Sequence, residues 1–409
     1  MFARVLATLL AAAPLAACGS ADPPRGLMLA LAQFVNEAGA KPVPGPARVE
    51  FLSQRGGQWR TAALEDPESN VFHKAMLYPG PAGPRILTLA GSAARVKLWE
   101  QRGGALVPTT LWGADFGGKF SRMRDAEVAD LYGDGSASLA VATHDQGVVA
   151  VLRPQEGTFE VVELDREADT FVHEIEIGDL DGDGVLEVYA TPSEPNRLDG
   201  TPQSGKVVRY VPRTGEGRRV VADLGQRHAK EILVGDVDGD GRDELYVVVE
   251  GRPGGGEGAP RIEEPVEIRR YEAATPPDGG VVIGTLQDQL TRFLTAGDVD
   301  GDGRRELVAA SYASGLWLFR PGPDPRAPWR SELIDRDSRG FEHASLLTDL
   351  DGDGRDELYV ASDHHREVRR YTWNGSRLER QVIYTRPDAR PIFTWNLMPV
   401  PVELIPQSG

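Results

Sequence analysis

The chain has 409 residues, 40% of them apolar, and a formal net charge of −17. This length and apolar content allow a large buried core. The excess of 62 acidic over 45 basic residues argues against nucleic acid as a partner. Cys18 is the only cysteine, so no disulfide can form within one chain and another interaction must stabilise the fold.

The N-terminus predicts an export signal. Arg4 precedes an apolar run over residues 5–13 that is too short to span a bilayer. The run ends in LAAC at 15–18, which resembles the lipobox of bacterial lipoproteins. The resemblance implies that residues 1–17 are a signal peptide, removed before Cys18 is lipidated; an ordinary signal peptide is the alternative.

The segment after the cysteine is predicted to tether the protein to a membrane. Gly19 follows the cysteine in place of aspartate, which by the same resemblance implies an outer-membrane lipoprotein facing the periplasm or the cell surface. Residues 18–46 contain several prolines and are predicted to be a lipidated tether. Within them, LMLALAQFVNEA at 27–38 is a candidate for a short docking helix.

The rest of the chain repeats one unit. The stretch GDLDGDGVLEV at 178–188 recurs as GDVDGDGRDEL at 235–245, GDVDGDGRREL at 297–307 and TDLDGDGRDEL at 348–358, with a degenerate copy at 129–139. Each copy lies between two apolar runs, and two further strand-like segments follow it. Four antiparallel strands per unit, repeated in this way, predict the blades of a β-propeller.

The strand count predicts seven blades. Innermost strands are expected to start at residues 73, 124, 173, 230, 292, 343 and 393. The N-terminal hairpin at 49–64 lacks a first strand pair, and the segment at 391–405 lacks a second pair. We therefore predict an all-β, seven-bladed propeller of four-stranded blades over residues 47–405, present as a monomer. One blade is shared between N- and C-terminal strands, which removes free sheet edges.

The repeated loops resemble a known calcium-binding pattern. The D-x-D-G-D-G-x-x-E loops at 179–187, 236–244, 298–306 and 349–357 are similar to those of FG-GAP/VCBS repeat propellers, the wider group that includes integrin α-subunit heads. The resemblance implies about four calcium ions, and calcium prefers such oxygen ligands. A solvated acidic turn is the alternative. The twelfth position holds Ala190, Val247, Ala309 and Val360, which excludes an EF-hand.

The expected metal ligands follow the same spacing in each loop. They are the carboxylates of Asp179, Asp181, Asp183, Glu187, Asp236, Asp238, Asp240, Glu244, Asp298, Asp300, Asp302, Glu306, Asp349, Asp351, Asp353 and Glu357, and the backbone carbonyls of Val185, Arg242, Arg304 and Arg355.

A second set of residues falls at the opposite end of the same strands. Six residues before each loop, or its equivalent, stand His73, Arg124, His173, Lys230, Arg292 and His343, while His144, His364 and His365 lie in loops on the same face. We expect the first six to form a ring of cations around the central opening. Three alternatives remain: strand-end groups paired with Asp125, Glu174 and Glu231; a site for an anionic ligand; or a transition metal held by His73, His173 and His343.

Two classes of function follow. The first is a membrane-anchored, calcium-stabilised module that binds a glycan or a protein ligand on this face. The second is an enzyme, because rhamnogalacturonan lyases and the fungal aldos-2-ulose dehydratase resemble the chain in fold and calcium loops. Its catalytic candidates are His73, His173, His343, Arg124, Arg292 and Tyr312. Since fold does not imply function, catalysis stays open.

Overall fold

The computed structural model describes residues 25–35, 43–117, 121–144, 146–195, 201–254, 261–387 and 390–406. The predicted signal peptide and the lipidation site Cys18 lie outside these residues. No helix in the described ranges is long and apolar enough to cross a membrane. Apart from two short 3-10 turns, Asp363–His365 and Val402–Leu404, the regular structure is entirely β.

Six four-stranded antiparallel sheets and a seventh sheet that joins both ends of the chain form the blades, which confirms the predicted seven-bladed propeller. In chain order the strands are β1 (Arg25–Val35), β2 (Val43–Pro44), β3 (Ala47–Arg55) and β4 (Gln58–Asp66); then blade one, β5 (Phe72–Tyr78), β6 (Arg85–Ala90), β7 (Arg95–Arg102) and β8 (Ala105–Gly113); blade two, β9 (Met123–Ala129), β10 (Ser138–Thr143), β11 (Val149–Gln155) and β12 (Thr158–Asp165); and blade three, β13 (Phe171–Gly178), β14 (Glu187–Ser193), β15 (Lys206–Val211) and β16 (Glu216–Asp223).

The remaining blades continue the pattern. Blade four has β17 (Ala229–Gly235), β18 (Glu244–Val249), β21 (Val266–Tyr271) and β22 (Val281–Leu286), with the hairpin β19 (Arg252–Gly254) and β20 (Arg261–Glu264) between its second and third strands; blade five has β23 (Thr291–Gly297), β24 (Glu306–Ser311), β25 (Leu316–Arg320) and β26 (Arg330–Asp335); blade six has β27 (Ser345–Thr348), β28 (Glu357–Ser362), β29 (Glu367–Trp373) and β30 (Leu378–Thr385). The last strand is β31 (Ile392–Pro401).

The seventh blade joins both ends of the chain, as predicted, but with a different division. Its order is β31, β1, β3 and β4, so the C-terminus supplies only the innermost strand and the N-terminus supplies three. Leu29 pairs with Leu397 at the centre of the β31–β1 ladder. The prediction that the C-terminus supplies the first two strands of this blade is therefore wrong, because β1 is the second strand.

The same strand corrects the predicted tether. Residues 25–35 belong to the propeller, so the tether cannot extend to residue 46, and the docking helix is wrong. The alternation of side chains explains why: Leu27, Leu29 and Leu31 pack towards blade six, whereas Met28 and Ala30 pack towards blade one. All five side chains are fully buried. A strand with two apolar faces is stable between two blades, and as an exposed linker it would leave both faces in water.

Candidate functional site

The four D-x-D-G-D-G-x-x-E loops, termed here the acidic loops, each connect the first and second strands of blades three to six. Their carboxylates converge, with potential ligand atoms within 4.8 Å of one another. Two loops bring together four carboxylates, Asp236, Asp238, Asp240 and Glu244 in blade four and Asp349, Asp351, Asp353 and Glu357 in blade six; two bring together three, Asp179, Asp181 and Asp183 in blade three and Asp298, Asp300 and Asp302 in blade five. These groups could hold metal ions.

The local sequence explains this convergence. In blade three, the carboxylate of Asp179 accepts hydrogen bonds from the backbone N–H groups of Asp183 (3.0 Å) and Gly184 (2.8 Å), which folds the loop around it. Gly182 and Gly184 have φ angles of 71° and 80°, a conformation that side chains with a Cβ rarely adopt. The later aspartates are thereby turned towards the first.

The glutamate that ends each acidic loop is buried beneath it. Glu244 is 1% exposed and Glu357 is 4% exposed. Burial raises the pKa of Glu244, Glu306 and Glu357 to about 7. A buried carboxylate needs a compensating cation to stay ionised, and a hard divalent cation suits this oxygen donor set. The participation of the carbonyls of Val185, Arg242, Arg304 and Arg355 stays a prediction.

The sequence analysis missed a basic partner of these loops. In blade four the guanidinium of Arg270 lies 2.7 Å from Asp238 and 3.1 Å from Glu244. Arg209 stands at the matching position of blade three and contacts Glu187. In blade five Arg320, two residues further along the third strand, contacts Glu306. Part of the signal was present, because an arginine stands at the same point of the third strand in KVVRY and EIRRY, whereas in GLWLFR it comes two residues later. Glu187 and Glu306 lie outside the converging groups, whereas Glu244 belongs to one despite its contact with Arg270.

The opposite end of the first strands, termed here the basic end, is shaped by β-bulges. In blades one to five the register slips by one residue at His73, Arg124, His173, Lys230 and Arg292, all of the predicted ring positions in those blades. A bulge adds one residue opposite its partner strand and re-aims side chains. The innermost strands contact one another in a ring. The sixth position, His343, precedes β27 and has a positive φ of 60°.

The cations of the basic end are buried and paired. Arg124 lies 3.4 Å from Glu342, and Arg292 lies 2.9 Å from Glu342 and 3.1 Å from Glu250. Lys230 lies 3.5 Å from Glu250. Blades two and six are not neighbours in the ring, so the contact between Arg124 and Glu342 spans the central axis. Arg124, Lys230 and Arg292 are therefore joined in a chain of ion pairs, which agrees with the alternative of paired strand-end groups but with Glu250 and Glu342 as partners.

The predicted partners of the ring also change. Asp125 pairs with Lys74 at 2.8 Å and accepts the backbone N–H of Ile175 in the next blade at 3.0 Å. Glu231 accepts the N–H of Leu294 in the same way, at 3.0 Å. Asp125 and Glu231, each one residue after a ring position, thus connect adjacent blades. The carboxylates that neutralise the ring cations belong instead to Glu250 and Glu342.

Three buried histidines of the basic end, His73, His144 and His173, are held neutral. Burial, together with nearby cations, lowers the pKa of His73, His144 and His173 well below the usual range. The Nε2 atom of His144 lies 3.2 Å from Nδ1 of His173, and His73 contacts the carbonyl of Met123 and the ring of Trp395. Lys230 is also affected, since burial lowers its pKa to about 8.

The proposed three-histidine metal site does not form. His343 uses both ring nitrogens, at 2.9 Å each, on the hydroxyl of Ser338 and the carbonyl of Ser311. His73 and His173 have different partners, in blades one and three. Among the described residues, every group of three or more potential metal ligands belongs to the acidic loops. The expectation of a transition metal bound by His73, His173 and His343 is therefore corrected.

A large cavity opens on the same face between blades five, six and seven. This space, termed cavity one, has a volume of about 520 Å³. Four arginines contribute to its lining, namely Arg339, Arg366, Arg386 and Arg390, with His364 beside them. Aromatic walls come from Tyr312, Phe341 and Phe393. Its only acidic lining residue among those described, Asp363, accepts hydrogen bonds from Arg386 (3.0 Å) and from the hydroxyl of Thr394 (2.7 Å).

A smaller space, cavity two, adjoins cavity one. Its volume is about 140 Å³, and it shares Tyr312 and Phe341 with cavity one. His228 and Glu250 in its lining form a 3.0 Å pair. Arg292 stacks at 4.8 Å on the Phe341 ring, so the buried ion pairs support the wall between the two cavities.

The catalytic candidates separate into two groups. Five of the six are at most 8% exposed and lie beneath the surface that a large ligand could reach: His73, Arg124, His173, Arg292 and His343. Tyr312 is 40% exposed and stands between the cavities. Of the predicted loop histidines, His364 lines cavity one, while His365 pairs with Asp337 at 3.3 Å.

Comparison with known proteins supports the fold. No family model matches the chain, and no curated protein matches it. A proposed 6-phosphogluconolactonase of Bacteroides fragilis is 12% identical with a TM-score of 0.51, covering 93% of this chain and 99% of that chain. A second, from Bacteroides uniformis, is 14% identical with a TM-score of 0.52, covering 92% and 100%. The periplasmic gluconolactonase of Pseudomonas aeruginosa is 14% identical with a TM-score of 0.53, covering 90% and 99%. At these identities the likeness shows a common propeller fold.

Proposed function

We propose that the protein is an extracytoplasmic, calcium-stabilised propeller that binds an acidic glycan on the face opposite the acidic loops. The observation that carries the proposal is cavity one, where four arginines and a histidine surround a space with a single, already paired acid. Guanidinium groups bind carboxylates through paired hydrogen bonds, and aromatic walls suit the apolar faces of sugars. A protein with an acidic patch is the second ligand class for the same surface.

The remaining parts of the proposal come from the sequence. The resemblance of the acidic loops to FG-GAP/VCBS loops supports calcium as the ion, and their converging carboxylates fit that cation. The resemblance to a lipobox supports anchoring of Cys18 in the outer membrane. In this proposal the propeller acts as a monomer and presents cavity one away from the acidic loops.

Calorimetric titration with oligogalacturonate tests the binding function. We expect Arg339→Ala to weaken binding at least tenfold, because Arg339 is exposed in the lining of cavity one. The matched control is Arg330→Ala, which removes an arginine with a 79% exposed side chain on the outer strand of blade five. No binding to the wild-type chain, or equal losses in both variants, would exclude cavity one as the glycan site.

An enzyme acting on the same glycan is the second candidate. Tyr312 favours it, because its exposed side chain lies where cavities one and two meet and a phenol can act as a general base or acid. Elimination across a uronate would give an unsaturated product that absorbs ultraviolet light. Since the structural neighbours are two proposed 6-phosphogluconolactonases and a gluconolactonase, hydrolysis of 6-phosphogluconolactone and of gluconolactone should be measured beside it. Turnover lost in Tyr312→Phe with binding retained would make the protein an enzyme.

A further inference from the structure

The four acidic loops are not equivalent, and the difference lies in whether an arginine of the third strand contacts the glutamate of the loop. This inference rests on the calcium-binding part of the proposed function. We infer that the loop of blade six is the high-affinity calcium site, and that Arg209, Arg270 and Arg320 weaken calcium binding in blades three, four and five by holding two of the loop carboxylates.

Blade four shows the arginine contact most clearly. The side chain of Arg270 is 3% exposed, and its Nη2 atom lies between Asp238, at 2.7 Å, and Glu244, at 3.1 Å. Asp238 and Glu244 are two of the four carboxylates that converge in this loop. A metal ion at the point of convergence must share both with a fixed positive charge, which repels it. Arg270 is also held by Glu272, so it cannot move away without losing a further partner.

Blades three and five repeat the arrangement. Arg320 lies 2.7 Å from Asp300 and contacts Glu306, and its guanidinium stacks at 5.2 Å on Trp373. In blade three, Arg209 lies 3.3 Å from Asp181 and contacts Glu187. In both loops only the three aspartates converge. The arginine thus takes the glutamate from the cation site, which leaves one fewer carboxylate to bind calcium.

Blade six lacks this contact. The corresponding residue, Arg370, reaches only to 4.0 Å from Asp351 and donates instead to the side chain of Gln381 at 2.9 Å. Glu357 accepts hydrogen bonds from the N–H of Leu350 (3.2 Å) and the hydroxyl of Tyr359 (3.0 Å). No ion pair joins Glu357 to an arginine among the described residues. Four carboxylates therefore converge here without a bridging cation.

The negative charge of the acidic loops is therefore compensated in two different ways. In blades three to five an internal guanidinium supplies part of the positive charge, so these loops stay folded when calcium is scarce. In blade six the charge must come from solution. Ligand charge and number set calcium affinity in such loops. The loop of blade six, where the nearest guanidinium lies 4.0 Å from a carboxylate, should therefore bind calcium at the lowest calcium concentration.

Calorimetric titration of calcium into the chelator-treated full chain tests this assignment. We expect one tight ion per chain and further ions bound at least tenfold more weakly. Asp351→Asn should abolish the tight ion. Arg270→Met should add a second tight ion, because it releases Asp238 and Glu244, whereas the matched control Arg370→Met should leave the number unchanged. Arg320→Met, at a more exposed arginine, serves if Arg270→Met does not fold.

Each outcome has one meaning. Equal affinities for all ions, a tight ion that survives Asp351→Asn, or folded Arg270→Met and Arg320→Met chains with no added tight ion would overturn the inference while calcium binding itself stood. If calcium binds to none of the chains, the calcium part of the proposed function fails as well. Thermal melting of each variant without calcium establishes that it is folded.

Discussion

The two ends of the innermost strands both concentrate charge, but they neutralise it differently. At the acidic loops, carboxylates such as Asp351, with a 51% exposed side chain, converge at the surface where an ion from solution can reach them. At the basic end, Arg124 and Arg292 are buried and share the carboxylate of Glu342, with a 1% exposed side chain. One end could bind exchangeable ions, whereas the other is neutralised by fixed side chains.

This difference assigns different tasks to the two ends. Ion pairs between blades two, four, five and six cross the axis and fix the blades relative to one another. They also leave the basic end unable to bind a ligand with its ring cations, which are already paired. In the proposed function, the ligand is therefore bound at the rim, where cavity one presents exposed arginines such as Arg339 and Arg366. The predictions below test how far each end depends on its own source of compensating charge.

The largest effect is expected at Glu342. Glu342→Gln leaves Arg124 and Arg292 as buried cations without their shared partner, and removing one member of a buried pair costs about 3–5 kcal/mol. Urea unfolding should show this loss equally with and without calcium, because the substitution lies at the end remote from the acidic loops.

Glu332→Gln is the matched control. Its carboxylate lies 4.0 Å from the exposed Arg330 on an outer strand, and such surface pairs contribute about 0–1 kcal/mol. If Glu342→Gln lost no more stability than Glu332→Gln, the ion pairs across the axis would not hold the blades together.

Calcium removal should have the next largest effect. A tight site held at one hundred times its dissociation constant stabilises the folded chain by about 2.7 kcal/mol. Treatment with EGTA should lower the free energy of unfolding by this amount if one loop is tight, and the midpoint of urea unfolding should return when calcium is restored.

The control is the same experiment on Asp351→Asn and on Asp278→Asn, the latter an exposed aspartate outside the acidic loops. The first should lose most of its response to EGTA and the second should keep it. An unchanged response in Asp351→Asn would mean that the stabilising ion binds in another loop.

The sequence predicted those features that depend on neighbouring residues. The Gly-Asp loops between apolar runs are local signals, so the blade count and the acidic loops could be identified from spacing. The second strand of the seventh blade could not be identified in this way, because β1 pairs with β31, at the other end of the chain. Nothing in LMLALA distinguishes a strand with two buried faces from a short apolar helix.

The basic end was misjudged for a different physical reason. Strict alternation assigns one face to every second residue, but a bulge at Arg124 shifts that assignment by one. The carboxylates that neutralise the ring come from Glu250 and Glu342, in other blades or in loops, and only the folded chain brings them together. The third-strand arginines were visible as a repeat, but their contacts with the acidic loops depend on strand pairing.

At neutral pH the smallest effect is that of the buried His343, whose contribution to stability changes only in acid. Burial lowers its pKa from 6.5 to about 4, so between these values the unfolded chain binds more protons than the folded chain. Stability from this residue is complete above pH 6.5 and is lost as pH falls towards 4, at about 1.4 kcal/mol per pH unit. The His343→Asn variant lacks this dependence, and asparagine tolerates the positive φ at this position.

The measured quantity is the difference in unfolding free energy between the wild type and His343→Asn. It should be constant from pH 7 to 8, where the histidine is neutral in both states, and should shrink steadily below pH 6.5. The subtraction cancels the carboxylates, which titrate equally in both chains. A difference that stays constant down to pH 4 would mean that Ser338 and Ser311 accommodate a protonated ring, and that charge at the basic end is less fixed than its ion pairs indicate.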